Sequence, residues 1–408
     1  MREPYDSLET RGTVERETAQ FEALRAQLAN TTAPALRERL EGAAIDALTG
    51  RDMLAALPVL RKSDLVEMQR KDPPFGGLAG LAPEGFDEIF QSPGPIYEPG
   101  RSGADDWWRF ARALHAGGIG AGDRVLNAFS YHLTPAGTML SSGARALGAA
   151  VLPGGVGNTE AQVAMAADAG ATAYLGTPDF LKVMLEKADE LGRDLSRITK
   201  AWVSGGALFP TLRAFYAERG IACLQGYATA DLGNIAYETA PDAGLVVDEG
   251  VILEIVRPGT GDPVGPGEVG EVVVTLLNAD YPLLRFATGD LSAFLDGQSP
   301  CGRTGPRIKG WMGRADQTTK VKGMFVRPEQ VAAIIARHPA VLKARLTVSR
   351  VHEQDVMDLA IETADASVAG AVGETMRDVL KLRGEVTPAA PGSLPNDGKV
   401  IDDTRSYD

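Results

Sequence analysis

The chain has 408 residues, with 54 acidic against 41 basic and a formal net charge of -13 at pH 7. At that length a single core stops growing, so two or more domains are expected, and a hydrophobic share of 44% with 23% charged residues excludes a disordered chain. The acidic balance, unbroken by any long Lys or Arg run, excludes global attraction to nucleic acid or an anionic membrane but leaves room for a local anion site.

Residues 1–10 mix charges without an apolar centre, so they are not read as a signal peptide, and no apolar stretch is long enough to span a bilayer. Cys223 and Cys301 alone build neither a disulfide framework nor a cysteine zinc site, and a reducing, cytoplasmic setting is the default expectation.

Residues 17–70 read as helical, with Phe21, Leu24, Leu28, Leu36 and Leu40 at helical spacing. The Pro- and Gly-rich stretch 71–101 reads as loop. From Trp107 the pattern alternates, with short apolar runs at 124–128, 149–152, 173–175, 201–203 and 221–224 separated by segments of helical length. That is the signature of a mainly parallel sheet flanked by helices. After Tyr237 the chain becomes strand-rich, with runs at 251–256 and 269–277 that suit a meander or small distorted barrel. Beyond residues 310–316 come a strand, a helix opened at Pro328, a strand near Leu346 and a helix through Val368, Val372, Met376, Val379 and Leu380, stopped at Gly384. The expected fold is α/β: a large N-terminal domain (1–312) with parallel helix-flanked sheets and a barrel-like region, then a small mobile α+β domain (313–408).

Four segments carry chemistry. Residues 225–231, Gln-Gly-Tyr-Ala-Thr-Ala-Asp, follow an expected strand and so lie where open α/β sheets bind ligands. An aromatic face beside a carboxylate suits a purine and a divalent ion; a plain turn with an N-capping acid fits equally. Residues 281–291 place Arg285 and Asp290 five apart in apolar surroundings, a pattern that fits either a ribose-binding carboxylate or an internal ion pair. Residues 313–316, Gly-Arg-Ala-Asp, lead into Lys320, Lys322 and Arg327, a basic loop between the expected domains. Residues 392–400 present Lys399, a compact cation suited to a phosphate under attack or to a solvated surface.

In this order and at these intervals, the four segments resemble the adenylate-forming enzymes, most closely the phenylacetate-CoA ligase branch, over residues 21–403. Residues 122–129, 157–162 and 300–304 extend the resemblance. It implies a ligase that uses ATP, Mg2+ and coenzyme A to convert a small-molecule carboxylic acid, first expected to be aryl or arylacetic, into an acyl-adenylate and then a thioester. A homodimer is left open.

By the same resemblance, Tyr227 stacks near adenine beside Gly226 and Ala228, while Gly205, Gly206 and Ala207 line the junction of acyl and adenine pockets. Asp231 takes the place of a magnesium-binding Glu. Asp290 binds ribose, Arg314 contacts ribose and phosphate, Asp316 is the hinge, and Lys399 serves adenylate formation. Lys320 and Lys322 contact coenzyme A phosphates. Tyr131, Gly205, Tyr227, Ala228, Asn234 and Ile235 form the acyl pocket, in which Tyr131 faces the acyl group.

The sequence departs from the family at residues 91–99. A Ser/Thr/Gly-rich phosphate loop ending in Lys is expected there; the chain has Gln-Ser-Pro-Gly-Pro-Ile-Tyr-Glu-Pro, with two prolines that lack N–H donors and an acid in place of the cation. Two other readings therefore stay open: a catalytically degenerate nucleotide- or acyl-binding homologue, and an adenylyltransferase that stops at AMP transfer.

Overall fold

Phe21, Leu24 and Leu28 form the buried stripe of α1 (Thr13–Ala29) and pack with Leu36 of α2 (Pro34–Arg39) and Leu54 of α3 (Arg51–Ala55). The helical run expected to residue 70 is thus divided, with Pro34 opening α2 and Gly50 capping α3. The computed structural model describes residues 2–315, 317, 319–321, 324–351, 354–395, 397 and 399–405.

After the short strand β1 (Leu60–Arg61) comes α4 (Lys62–Lys71). The segment expected to be loop contains a hairpin instead, β2 (Glu88–Ser92) paired antiparallel with β3 (Ile96–Gly100). Phe90, Ile96 and Glu98 are buried, while the prolines at 93 and 95 fall in the turn, where no ladder donor is needed. Buried Gln69 of α4 fixes this hairpin, donating to the Tyr97 carbonyl and accepting from the Tyr97 N–H, both at 2.8 Å.

The chain divides into two compact units: Met1–Leu253 with Val274–Phe286 and Leu295–Trp311, and Glu254–Val273 with Ala287–Phe294 and Met312–Asp408. The first unit holds α5 (Phe110–Ala116), β4 (Arg124–Asn127), α6 (Ala136–Ala146), β5 (Ala150–Pro153), α7 (Thr159–Asp168), β6 (Ala173–Gly176), α8 (Pro178–Leu191), β7 (Lys200–Val203), α9 (Pro210–Glu218), β8 (Ala222–Thr229), β9 (Gly233–Glu238) and β10 (Leu245–Val247). Strands β5, β4, β6, β7 and β8 lie side by side and parallel, and β9 and β10 continue the sheet antiparallel.

Side-chain alternation builds a core on each face of this sheet. Leu126, Tyr174, Ala201, Val203 and Cys223 pack with Val163, Leu181, Met184 and Tyr216 of α7, α8 and α9. Val125, Leu175, Trp202 and Leu224 pack oppositely with Phe110, Leu114, Met139 and Leu140 of α5 and α6.

The strand-rich region supplies β11 (Val251–Val256), β12 (Gly270–Leu276) and β13 (Phe286–Ser292), which form a four-stranded sheet in the order β1-β13-β12-β11. Short strands β14 (Phe294–Leu295) and β15 (Arg307–Ile308) follow. The second unit then adds the β16 (Thr319–Val321) and β17 (Met324–Val326) pair, α10 (Pro328–Ala336), and the long antiparallel pair β18 (Val341–Val351) and β19 (Gln354–Thr363). After α11 (Ala369–Leu380), β20 (Glu385–Ala389) joins β19 and β21 (Ile401–Asp403) joins β18, both parallel. Val331, Ile334, Leu346, Leu359, Met376 and Leu380 are the centre of its core. Left-handed Lys381, not Gly384, ends α11; a Cβ on Gly384 would lie 2.7 Å from the Met357 carbonyl oxygen. Among the described residues no helix is long and apolar enough to cross a membrane.

Gln69→Leu should destabilise the protein by about 1–3 kcal/mol, because the Tyr97 N–H and C=O lose their partners. Denaturant unfolding measures it, and an unchanged midpoint would contradict the docking role given to Gln69.

Candidate active site

At the carboxyl end of β7 the chain turns through Ser204, whose hydroxyl donates to the Gly226 carbonyl of β8 at 2.9 Å. Gly205 has φ 73°, a left-handed conformation that favours glycine, and it stands exposed with Gly206 and Ala207. Gly226 has a different reason: a Cβ there would lie 2.1 Å from the Trp202 ring. The segment 225–231 was expected to follow its strand, but β8 runs on to Thr229 and contains most of it. The extension is possible because β9 returns directly alongside. Tyr227 faces Ala236 and Ala228 faces Asn234, so Ile235 has no opposite number, a bulge that bends the pair locally.

The expected acyl-pocket residues differ in setting. Tyr131 is half-buried, its hydroxyl shares a 2.6 Å hydrogen bond with Ser141, and its ring lies against Gly137. Burial is the leading reason its phenol pKa is raised. Asn234 and Ile235 are fully buried on β9, and the Asn234 amide donates to Asp248 at 3.3 Å.

Asp231 has no exposed side-chain surface, and Lys62, the first residue of α4, donates to its Oδ2 at 2.6 Å. Glu98 of β3 is also buried and accepts a hydrogen bond from Ser92 Oγ. Its pKa is pushed up to about 8, chiefly by burial and next by the Asp231 charge, while the Ser92 hydrogen bond and the Lys62 charge pull the other way. Buried Tyr281 is coupled to both carboxylates: burial first, then Asp231 and Glu98, raise its pKa. Asp231 Oδ1, Glu98 Oε2 and the Tyr281 hydroxyl are buried without a hydrogen-bond partner. Sequence reasoning missed Lys62 and Tyr281; Lys62 lies 169 residues from Asp231, and no local pattern joins them.

In the second unit, Asp290 and Arg314 form an isolated antiparallel bridge, and Arg314 Nη1 donates to Asp290 Oδ1 at 2.9 Å. Arg285, which belongs to the first unit, donates from Nη1 to the Ala55 carbonyl at 2.7 Å and to that of Leu57. A cavity of about 290 Å³ is lined by Arg314, Gln317, Thr319, Lys399, Asp402 and Asp403, among others. Lys399 Nζ meets Asp402 at 2.8 Å, and Arg345 holds Asp397 and Asp402 at 2.8 and 2.6 Å. The Gln317 side chain accepts from the Val400 and Ile401 N–H groups at 2.6 and 2.7 Å, fixing the backbone just after the lysine. Lys320 lies on β16. Asp316 and Lys322 lie outside the described residues.

These arrangements sit on the fold of the adenylate-forming CoA ligases. A 2-hydroxyisobutyryl-CoA ligase structure holding 2-HIB-AMP and CoA matches with a TM-score of 0.70 at 24% identity, covering 100% of this chain and 94% of that one. In sequence the chain is similar to phenylacetate-coenzyme A ligases: it is 29% identical over 351 residues to that of Thermus thermophilus, covering 81% of this chain and 77% of the relative. With the Escherichia coli enzyme it shares 27% identity over 383 residues, 89% of this chain and 86% of that protein. No family model matches. The resemblance read from the ordered motifs to the phenylacetate-CoA ligase branch thus extends over most of the chain.

Glu98 also makes a statement about stability. Its folded carboxyl holds a proton more tightly than the unfolded one, so its contribution is fully present below about pH 4.5 and is lost as pH rises through about 8. Glu98→Gln stays neutral throughout, so in chelator-treated protein its melting temperature should gain on wild type between about pH 5 and pH 9. A gap that does not widen would contradict the burial argument.

Proposed function

We propose that the chain is an ATP-dependent, AMP-forming acid–CoA ligase that activates a small-molecule carboxylic acid through an acyl-adenylate to a thioester. The similarity to phenylacetate-coenzyme A ligases over most of the chain carries this reading. Local geometry supports it: Asp290 is bonded to Arg314, and Arg314 lines the same cavity as Lys399 although the two lie far apart in sequence.

A carboxylate approaching a nucleotide phosphate brings two anions together, so the barrier is largely repulsion and positioning. In this reading Tyr227, with Gly226 and Ala228, supports the adenine, and Asp290 accepts from the ribose hydroxyls once Arg314 turns to the phosphate. Lys399 offsets the charge that builds during attack. Its ion pair with Asp402 is substantially solvent-exposed and therefore weakly held, as a group that must reach a substrate requires. Gly205 and Tyr131 border the acyl group, and an aryl or arylacetic acid is the first substrate class to test. The hinge at Asp316, a mobile domain from residue 313, and coenzyme A contacts from Lys320 and Lys322 complete the assignment.

Mg2+ belongs to the same proposal. Buried oxygens of Asp231 and Glu98 that lack partners are hard donors of the kind this ion takes, and it ordinarily draws its remaining ligands from water and substrate phosphates. When bound, it would supply charge stabilisation at phosphoryl oxygens.

Lys399→Ala should slow adenylate formation by roughly 10²–10³-fold, the scale of losing one transition-state charge contact. Thioester formation from a supplied acyl-adenylate should stay near wild type, and equal loss in both half-reactions would remove Lys399 from the assigned role. A panel of acids in ATP–pyrophosphate exchange, with coenzyme A thioesters followed in parallel, tests the whole reading. Nucleotide affinity without exchange would favour a binding protein; exchange without thioester would favour AMP transfer.

A further inference from the structure

The second unit holds another cavity, to which the proposed chemistry gives no task. It measures about 150 Å³, room for a benzene-sized group, and Val264, Val269, Ile335, Ala336, Ala344 and Val400 give it an apolar wall. Arg257, Lys343 and Lys399 also line it, against the acids Asp262 and Glu268. An apolar hollow with a few charged groups is the composition of a small-molecule site.

The turn after β11 fixes the arginine. Its N–H donates to the Asp262 carbonyl at 2.7 Å, the Asp262 N–H donates to Thr260 Oγ1 at 3.0 Å, and that hydroxyl donates to the Arg257 carbonyl at 3.1 Å. Gly259 seats the turn on α10: its φ is 84°, and a Cβ there would lie 3.1 Å from the Glu329 nitrogen. Glu268 is engaged within its own loop, accepting from the Gly265 N–H at 3.3 Å, and Lys343 donates to the Pro395 carbonyl at 3.1 Å. Among the described residues no ion pair engages Arg257, so its charge is open to a ligand.

We propose that this cavity binds a small monocarboxylic acid, its apolar body against Val264 and Ile335 and its carboxylate on Arg257 and Lys399. Arginine suits that task because its planar fork matches a carboxylate. The consequence for catalysis rests on the ligase reading. Lys399 lines both this cavity and the one that contains Arg314, and one ammonium cannot offset an anion in each. Its bond to Asp402 is exposed and weak, so a carboxylate bound here can draw it away. An acid in this second cavity therefore holds Lys399 back from adenylate formation and acts as an inhibitor.

The test follows the fluorine NMR signal of para-fluorobenzoate titrated into the full chain without ATP. A saturable event is expected that Arg257→Gln weakens by about tenfold or more, the scale of one charge-assisted hydrogen bond. Ala336→Trp, which sets an indole over the hollow from an exposed position at the end of α10, should remove the event, with thermal melting confirming that both variants fold. A wild type that shows no such event would overturn the site. Variants that bind as wild type does would overturn it too, and would place the probe in the acyl pocket. Pyrophosphate exchange with an acid from the panel then reads the consequence: para-fluorobenzoate should slow it in a way that more of that acid does not relieve, and Arg257→Gln should need about tenfold more of the probe. Relief by the acid, or equal sensitivity in the variant, would remove the inhibitory role. Exchange without the NMR event sinks the second cavity alone, whereas the NMR event without any exchange sinks the ligase reading and leaves the cavity a binding site.

Discussion

A carboxylate taken wholly out of water must be compensated where it stands, and Asp231 meets that constraint with the Lys62 ammonium at 2.6 Å. Withdrawing either charge from solvent costs several kcal/mol, so the pair survives only if its geometry is held. The surrounding structure holds it. Lys62 opens α4, and the same helix carries Gln69, whose two hydrogen bonds to Tyr97 fix β3 and with it Glu98. Helix, hairpin and the end of β8 are therefore placed together by one electrostatic requirement, and their burial makes Glu98 resist ionisation.

The second unit treats its charges differently. Lys399 and Asp402 are 48% and 21% exposed, against 32% and 0% for Lys62 and Asp231. An exposed pair contributes about 0.2–1 kcal/mol, so Lys399 can leave Asp402 at little expense. Arg345, 12% exposed, is bonded to both Asp397 and Asp402, so it would still offset one of their two charges if the lysine moved. Strong binding where a group must stay and weak binding where it must travel is the division that the proposed chemistry asks for.

Much of this fold is legible in the sequence because side-chain alternation is a local signal. The apolar runs near Val125, Tyr174, Trp202 and Leu224 reappear as neighbouring strands with a core on each face. Local reasoning fails where the decisive partner is distant. The prolines at 93 and 95 advertise a loop, whereas the buried face of Phe90, Ile96 and Glu98 makes a hairpin around them. Asp231 is visible in its motif, but neither Lys62 nor Tyr281 shares a spacing with it. Position 384 misleads for a related reason: glycine marks helix ends by its conformational freedom, yet here it makes room for the Met357 backbone while Lys381 ends the helix.

The acidic hairpin bears unequally on the two halves of the proposed reaction. An acyl-adenylate carries a single negative phosphate, while ATP and the departing pyrophosphate concentrate several charges in a few ångströms. Coulomb repulsion from an uncompensated carboxylate grows with the charge it faces and strengthens as water is excluded. In the proposed reading, Glu98 would burden the pyrophosphate-handling step more than thioester formation only once pH rises through about 8 and its carboxyl ionises.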